Sequence, residues 1–447
     1  MYSVSVQSKF SHIYLRRRGV AVRSVSLTTS IAKPLHYLLY SQPGMNTLIT
    51  NIGQLATPHG TAPLGGKQLA GLAIYEDVEL LVRDGKVSKV AQRIGRQKVD
   101  QVIDAAGSVV LPGFVDAHTH AVFARKQEEE FFARIQGDLH TDRGIQAGAR
   151  AVATATEEAL ARDCLPYLKQ MLSCGTTTVE IKSGYGLSLA GEVKLLLAIR
   201  RMKRTLPITI VPTFLGGYGF PEGVQRDDYI SSIITEMIPA VRQRRLAEFC
   251  DVYCDERSYG IPEARSILRA ARGAGLRLKL HADGMRSVGG AELAADLEAT
   301  SADHLSQVSH QGMHKLKESG VIPVLLPGTA FTLNQDYAPA RDMIDIGLPI
   351  ALGSDFNPGT CLIYSMLTII GLAVIKMGLS VEEAITAATL NAGCALGLAE
   401  EIGSLEEGKS ADLMFLRLDS YRQIPYFFGH NPVTAVIKKG RIIYKSS

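Results

Sequence analysis

The stretch Gly113-Phe114-Val115-Asp116-Ala117-His118-Thr119-His120 places two histidines one residue apart at the end of a short apolar run. Side chains at positions i and i+2 of a β-strand lie on the same face, so His118 and His120 point the same way. Their imidazole nitrogens are then close enough to bind one cation, and neutral imidazole is a common ligand for zinc and other first-row metals. Two unrelated histidines at a strand end are the alternative, which loses weight as matching residues occur further along the chain.

From residue 113 onward, short apolar segments alternate with helical patterns such as 156–172, 189–202 and 263–274, and a last helix is expected over 381–397. This alternation predicts an α/β fold, a (β/α)8 TIM-like barrel over residues 113–397, with its site at the C-terminal ends of the strands. The eight strand candidates are residues 114–117, 177–182, 209–214, 249–254, 276–282, 301–304, 321–326 and 349–354.

Both ends of the chain carry strand patterns outside the barrel. They predict one small composite β-sandwich domain built from residues 45–112 and 398–447. The segments concerned are residues 45–49, 78–82, 86–90 and 102–104 before the barrel, and 411–416, 433–437 and 441–444 after it.

Residues 1–44 contain six lysines or arginines and no acidic residue. This composition is typical of a mitochondrial presequence, and it fits equally an upstream translation start, with Met45 as the genuine first residue. In either case the segment is excluded from the fold. We expect a cytoplasmic protein, or a mitochondrial one if residues 1–44 are a presequence.

The charge is unevenly distributed along the chain. The whole chain carries +4, and the six basic residues of positions 1–44 account for +6, so residues 45–447 carry −2. A slightly acidic body argues against a nucleic acid partner. Charged or small residues interrupt the apolar runs well before about 18 residues, so no membrane-spanning helix is expected. The six cysteines are scattered without a CxxC pair, which favours reduced thiols.

Further metal-binding side chains occur where later strands end. His281 closes the fifth strand candidate, His304 closes the sixth, and Asp355 follows the eighth. In a parallel barrel these positions meet at one rim, together with His118 and His120. Three protein ligands and an open position for water are the arrangement of catalytic zinc sites.

The chain resembles the amidohydrolase superfamily and, within it, the imidazolonepropionase family of histidine degradation. The resemblance covers residues 45–447. Lys182-Ser183-Gly184-Tyr185-Gly186 and Asn357-Pro358-Gly359-Thr360 are its most specific parts. All of the matching segments are Leu111–Ala124, Thr177–Gly186, Lys279–Asp283, Gly289–Ala294, Ser301–Leu305, Asp355–Thr360 and Gly403–Leu413.

This resemblance implies hydrolysis of a cyclic amide C–N bond, with 4-imidazolone-5-propanoate opened to N-formimidoyl-L-glutamate. It implies that Asp355 takes the proton of the attacking water and that His304 stabilises the developing oxyanion. A homodimer is left open. The implied ligands of one Zn or Fe ion per subunit are His118, His120, His281 and Asp355, and the implied substrate contacts are Tyr185, Asn357, Gly359 and Thr360.

Three positions depart from the family pattern. Gln127 stands where the family has the arginine expected to hold the substrate carboxylate, a task for which Gln lacks the charge and the geometry. Arg125 or Lys126 of the same loop is a candidate replacement. Tyr218 stands where the family has a site histidine, and both Tyr218 and Gln127 are counted here as substrate-binding candidates. Gly284 stands where the family has Glu or Gln, which leaves proton transfer to Asp355.

Two alternatives to this function therefore remain open. A different amidohydrolase, such as a deaminase or another cyclic-amide hydrolase, is compatible with the three departures. A non-catalytic paralogue is disfavoured, because an idle site has no need of these ligands. Lys182 is interpreted as structural rather than as a carbamylated metal bridge, and His310 and His314 as solvent-facing.

Overall fold

A computed structural model describes residues 45–95, 97–137, 142–256 and 258–446. The predictions for residues 1–44 lie outside the described residues. The strands are β1 (Thr47–Thr57), β2 (Ala73–Arg83), β3 (Lys86–Ala91), β4 (Gln101–Asp104), β5 (Val109–Pro112), β6 (Phe114–Asp116), β7 (Thr176–Lys182), β8 (Thr209–Gly217), β9 (Phe249–Cys254), β10 (Arg277–Ala282), β11 (Ser301–His304), β12 (Ile322–Leu325), β13 (Ala351–Leu352), β14 (Leu413–Leu416), β15 (Val433–Lys438) and β16 (Arg441–Lys445).

The helices occur mainly between the barrel strands. Helix α5 continues through a π-helical turn (Ile233–Met237) into α6, and a 3-10 turn covers Gly66–Ala70. The α-helices are α1 (Glu128–Ile135), α2 (Asp142–Thr154), α3 (Glu157–Ser173), α4 (Leu189–Thr205), α5 (Arg226–Ser232), α6 (Ile238–Gln243), α7 (Ile261–Gly273), α8 (Gly290–Asp296), α9 (His310–Ser319), α10 (Pro327–Thr332), α11 (Ala340–Asp345), α12 (Met366–Met377), α13 (Val381–Ala387), α14 (Leu390–Ala395) and α15 (Gln423–Tyr426).

Strands β6 to β13 form a parallel sheet of eight strands in sequence order. The sheet closes where the chain after β6 meets the chain after β13. Asp355 N donates to His118 O at 3.0 Å, and His120 N donates to Phe356 O at 2.9 Å. All eight strand candidates correspond to observed strands, so the barrel prediction is confirmed, and its closing seam joins two segments that carry proposed metal ligands.

The helix predictions hold for α3, α4 and α7, and the first two begin at side-chain caps. Thr156 accepts a hydrogen bond from Ala159 N, and Ser188 accepts one from Gly191 N. The single helix expected over 381–397 is wrong, because the structure has two helices, α13 and α14. The break falls at Thr389, whose φ of −130° and ψ of −88° lie outside the helical region.

Strands from both chain ends form the second sheet, as predicted. It is one mixed sheet in the order β16-β15-β14-β5-β1-β2-β3, with β4 also paired to β1. Side chains from its two ends, such as Leu80 and Ile437, share one apolar core, so the sheet folds over on itself. The domain boundaries 45–112, 113–397 and 398–447 stay predictions. No helix of the described residues is long and apolar enough to cross a membrane.

Candidate metal centre

The four proposed ligands meet at the C-terminal rim of the barrel. His118 and His120 follow β6, His281 lies on β10, and Asp355 follows β13. Asp355 Oδ1 lies 3.6 Å from the Nε2 atoms of both His118 and His120, and His281 Nε2 lies 3.3 Å from His120 Nε2. One ligand atom of each histidine lies within 4.8 Å of the other two. The structure therefore brings together all four residues that the sequence singled out.

Two buried carboxylates behind the histidines fix which ring nitrogen faces the centre. His118 Nδ1 lies 2.6 Å from Asp303 Oδ2, and His281 Nδ1 lies 3.0 Å from Asp251 Oδ2. The Nδ1–H of His118 donates to Asp303, so the Nε2 lone pair of His118 points to the centre, as in carboxylate–histidine–metal arrangements. The carboxylate of Asp251, at ion-pair distance from His281 Nδ1, favours the same orientation of the His281 ring. His118 Nε2 is buried and has no hydrogen-bond partner among the described residues. The histidine nitrogens that face the centre, together with the carboxylate of Asp355, fit a divalent cation.

Burial also sets the protonation of the ligands. Burial lowers the pKa of His118 and of His120 well below the usual value for histidine, and nearby cationic groups contribute in the same direction. Both rings are therefore neutral at pH 7, which is the metal-binding form. Burial raises the pKa of Asp355 to about 6, although Thr329 Oγ1 donates a hydrogen bond to its Oδ2 at 2.5 Å.

A buried network of charges lies beneath the ligands. Lys182 Nζ lies 2.7 Å from Glu180 Oε1 and 2.7 Å from Asp251 Oδ2, and 3.5 Å from Asp303 Oδ2. Burial opposes the charge, but the three carboxylates outweigh it and raise the pKa of Lys182. Lys182 is thus an ammonium that links the two orienting aspartates, which supports its structural interpretation over a carbamylated one.

His304 lies beside the proposed ligands and, among the described residues, has no carboxylate contact of the kind that holds His118. Its ring centroid is 5.2 Å from that of His281 and 5.5 Å from that of His118. Burial lowers the pKa of His304 to about 3, so its ring is neutral. His304 and Asp355 both adopt a positive φ, 78° and 50°. Such strained backbone in residues other than glycine clusters at functional sites.

A cavity of about 100 Å³ opens beside the ligands. The ring of Tyr218 lies 5.3 Å from that of His120 and 5.5 Å from that of Tyr185. Burial raises the pKa of Tyr218 to about 12, so its hydroxyl keeps its proton at pH 7. Gly284 has no side chain, and a Cβ atom placed there would lie 3.5 Å from His304 Cβ. Tyr218 and Tyr253 thus line this cavity with their rings, and Gly284 lines it without adding a side chain.

The loop after β13 is shaped by Asn357. Its Nδ2 donates to Asp355 O at 2.7 Å, and its Oδ1 accepts from Gly359 N at 2.9 Å and from Thr360 N at 2.7 Å. These bonds use the side-chain amide to hold the loop in a tight turn. Asn357 and Thr360 line the cavity, while Gly359 lies where a Cβ would approach other side chains too closely.

The residues that could replace the family's carboxylate-binding arginine differ in their surroundings. Gln127 is buried next to Gly359. Arg125 is paired with Glu130 at 2.6 Å, and Lys126 is exposed. A different cation, Arg134 of α1, lines the cavity. Pattern reading missed it, because one arginine in an amphipathic helix carries no signal of its own.

Sequence reasoning also missed three buried acids, Asp251, Asp303 and Glu192. The available signal was a charged residue within an apolar strand or helix face, since buried charges are rare unless paired. Asp251 lies within Phe249–Cys254, and Asp303 directly precedes His304. The histidines 310 and 314 are exposed on α9, as expected.

Glu192 positions the loop that carries Tyr185. Its carboxylate accepts hydrogen bonds from the backbone N–H groups of Gly184 at 2.9 Å, Gly186 at 2.7 Å and Leu187 at 3.3 Å. Burial raises the pKa of Glu192 to about 7 from 4.5. The folded state therefore favours the protonated acid, and this contribution to stability is complete below pH 4.5 and is lost as the pH rises through about 7.

We expect Glu192→Gln to remove this pH dependence. Between about pH 5 and pH 8.5 the wild type should lose roughly 3 kcal/mol of stability relative to the variant, because one pKa unit corresponds to about 1.4 kcal/mol. Melting temperatures of both proteins across this range measure the difference. Glu158→Gln, at an exposed position on α3, is the control and should run parallel to the wild type. A Glu192→Gln profile parallel to the wild type would contradict the assignment.

A parallel barrel with three histidines and an aspartate gathered at its C-terminal rim defines a metal-dependent hydrolase, and comparison with known proteins gives the same class. Residues 109–443 match the model of the amidohydrolase family. Within it, this chain belongs to the imidazolonepropionase family. It is 41% identical over 398 residues to the imidazolonepropionase of Caldanaerobacter subterraneus subsp. tengcongensis, which covers 88% of this chain and 96% of that protein. It is 41% identical over 414 residues to that of Clostridium tetani, covering 90% and 99%.

Solved structures show the same fold at low identity. Atrazine chlorohydrolase from Arthrobacter aurescens, complexed with zinc, superposes with a TM-score of 0.69 at 16% identity, covering 89% of this chain and 95% of that one. Guanine deaminase from C. acetobutylicum superposes with a TM-score of 0.67 at 18% identity, covering 89% and 100%. The family and the histidine cluster together indicate an enzyme with a divalent metal and a small-molecule substrate.

Proposed function

We propose that this enzyme hydrolyses 4-imidazolone-5-propanoate to N-formimidoyl-L-glutamate. The observation that carries the proposal is the convergence of the neutral His118 and His120 rings, His281 and Asp355 at one rim. Its support on the substrate side is the similarity, at about 41% identity, to proteins named imidazolonepropionase.

His118, His120, His281 and Asp355 would hold one Zn or Fe ion per subunit. Imidazole suits both metals, and three histidines with one carboxylate leave a position for a small molecule. When bound, such an ion acts as a Lewis acid that makes a water molecule a better nucleophile and polarises the amide carbonyl.

Two side chains are assigned to proton transfer and charge stabilisation. Asp355 takes a proton from the attacking water as its oxygen bonds to the carbonyl carbon, and returns that proton to the ring nitrogen as the C–N bond breaks. Without a metal, burial raises the pKa of Asp355 to about 6; a cation bound beside it would lower this pKa and keep the carboxylate in the form that accepts a proton. His304, neutral because burial lowers its pKa to about 3, donates an N–H to the developing oxyanion.

The substrate ring would lie in the cavity against the tyrosines. Tyr185 and Tyr218 offer aromatic faces next to His120, and their hydroxyls are protonated donors. Thr360 and Asn357 also line this cavity. Tyr218 in place of a histidine and the open space at Gly284 make this cavity differ from the family pattern, so substrate choice must be measured directly.

The decisive experiment assays the purified enzyme on 4-imidazolone-5-propanoate and on a panel of other cyclic amides and amino-heterocycles. We expect the imidazolone to give the highest kcat/KM, by about 10²-fold or more, because a site built to bind polar substrate groups rejects analogues that lack them. Ammonia release from an amino-heterocycle as the best reaction would instead identify a deaminase. No turnover of any compound, in protein that binds no metal, would identify a non-catalytic paralogue.

Metal removal gives an independent prediction. Treatment with a chelator is expected to abolish turnover, and Zn or Fe(II) added back should restore it, with about one ion per chain by elemental analysis. The ion that restores full activity distinguishes zinc from iron. Full turnover by protein with no detectable metal would exclude the proposed chemistry.

We also propose a cytoplasmic location, or a mitochondrial one if residues 1–44 act as a presequence. Fluorescence microscopy of the full chain and of a form starting at Met45, each fused to a fluorescent protein, distinguishes the two.

A further inference from the structure

Arg134 is a buried cation at the mouth of the site. It lies in the last turn of α1, is 7% exposed, and donates from Nη1 to Gly359 O at 2.5 Å. It lines the same cavity as Tyr218, Tyr253 and His120. Arginine is the preferred residue where a buried cation binds a carboxylate or a phosphate.

The charge of Arg134 is felt inside the cavity. Burial raises the pKa of Tyr185, of Tyr218 and of Tyr253, and the positive charge of Arg134 offsets part of this rise at all three tyrosines. Tyr218 and Tyr253 also line the cavity together with Arg134, so these three side chains border the same space. The guanidinium thus contributes positive potential where the substrate would lie.

The other nearby cations do not line this cavity. Arg125 is paired with Glu130 at 2.6 Å, and Lys126 is exposed. Lys182 is held beneath the ligands by its carboxylates. Among the described residues that line the cavity, Arg134 is the only lysine or arginine.

The neighbourhood of Gly359 shows how Arg134 and Gln127 are combined. An ideal Cβ at Gly359 would lie 2.7 Å from Arg134 Nη1 and 2.8 Å from Gln127 Oε1. Both side chains therefore approach the backbone at this point, and glycine leaves them room. Gln127 thus packs beside the guanidinium, at the position where the family pattern has its own arginine.

We propose that Arg134 binds the carboxylate of the substrate's propanoate arm, a task that Gln127 cannot perform. The assignment rests on the proposed function, because it takes the imidazolone with its propanoate arm as the substrate. The planar guanidinium forms two parallel N–H···O bonds to a carboxylate, which gives both affinity and orientation. Selectivity for an anionic arm therefore comes from α1 rather than from the loop after β6.

The test compares two pairs of compounds that differ only in charge. The reactive pair is 4-imidazolone-5-propanoate and its propanamide. The unreactive pair is 3-(imidazol-4-yl)propanoate and its propanamide, whose binding is measured by calorimetry on the holoenzyme. The variants are Arg134→Gln, Arg134→Lys, Arg125→Gln and, as an exposed control on α3, Arg162→Gln.

For Arg134→Gln we expect kcat/KM on the propanoate to fall by about 10²-fold, mainly through KM, because the variant loses a desolvated charged hydrogen-bond pair. The value for the propanamide should change less than about threefold, and calorimetry should show the same loss of preference. Arg134→Lys, which keeps the charge without the planar fork, should fall between wild type and Arg134→Gln. Arg162→Gln should match the wild type.

Equal losses on both compounds would overturn the assignment, and so would loss of carboxylate preference in Arg125→Gln but not in Arg134→Gln. If Arg134→Gln does not fold, Arg134→Lys decides the question by the same comparison. Failure of the proposed function has a different signature, since wild type would then turn over neither imidazolone. In that case a preference for imidazolylpropanoate that depends on Arg134 would still support the carboxylate site, and its absence would refute it.

Discussion

Replacement of Asp355 by asparagine is expected to lower kcat by about 10²- to 10⁴-fold, the range that a positioned general base contributes. Asparagine keeps the volume of the side chain, but it does not take a proton from water. Its weaker donor oxygen also loosens the metal site, so metal content should be measured by elemental analysis beside kcat. A variant that keeps its metal and loses its rate identifies Asp355 as the base, whereas joint loss identifies it mainly as a ligand.

The control for this change is Asp345→Asn, at an exposed aspartate that ends α11 and pairs with Arg341. This variant should retain wild-type kcat and melting temperature, since exposed ion pairs contribute little. The melting temperature of Asp355→Asn should stay close to that of the wild-type apoenzyme, because burial already disfavours the charge that is removed. An Asp355→Asn enzyme that retained more than about a tenth of wild-type kcat would rule out the proposed role of this carboxylate.

The barrel could be predicted because its signal is local and repeated. Each buried strand is a short apolar run, and each run is followed by a segment with helical periodicity. The convergence of the proposed ligands could be predicted for a related reason, because parallel strands all end at one rim. His118, His281 and Asp355 each terminate such a run, so the topology brings them together although they are far apart in sequence.

The support behind the ligands could not be predicted in the same way. Asp303 meets His118 across 185 positions of sequence, and this pairing depends on how the strands twist inside the closed barrel. Arg134 is hidden for a different reason, because the way in which α1 packs on the barrel decides which of several cations near Gln127 lines the cavity. Thr389 breaks a helix that periodicity alone makes continuous. Local patterns thus predict elements and rims, whereas side-chain pairing requires the tertiary structure.

Replacement of Lys182 by methionine is expected to destabilise the fold by roughly 3–5 kcal/mol, the cost of removing one partner from a buried ion pair. The ammonium is fully buried and lies 2.7 Å from both Glu180 and Asp251. Without it, Glu180 and Asp251 lose the ammonium that compensates their buried charge, and Asp303 keeps only the more distant ammonium of Lys279. Thermal melting of the wild type and the variant measures the loss.

Lys279→Met is the matched comparison, because Lys279 is equally buried but lies 3.9 Å from its nearest carboxylate, Asp303. Burial lowers the pKa of Lys279, so its charge contributes less to stability than that of Lys182. We expect Lys279→Met to lose about 1–3 kcal/mol, because the variant leaves the buried acceptors of Lys279 without a hydrogen bond. Equal losses in the two variants would show that burial of a long side chain, rather than charge compensation, explains Lys182.

Lys182→Met should also weaken metal binding by about 10- to 100-fold, since Asp251 and Asp303 orient His281 and His118 and both lose their cation. Added bicarbonate should leave wild-type activity unchanged, because an anionic carbamate at this position would face three carboxylates. Activity that rose with bicarbonate would show that Lys182 is a metal bridge. Charge balance beneath the rim thus connects the stability of the barrel to the geometry of its ligands, and a single buried ammonium tests both.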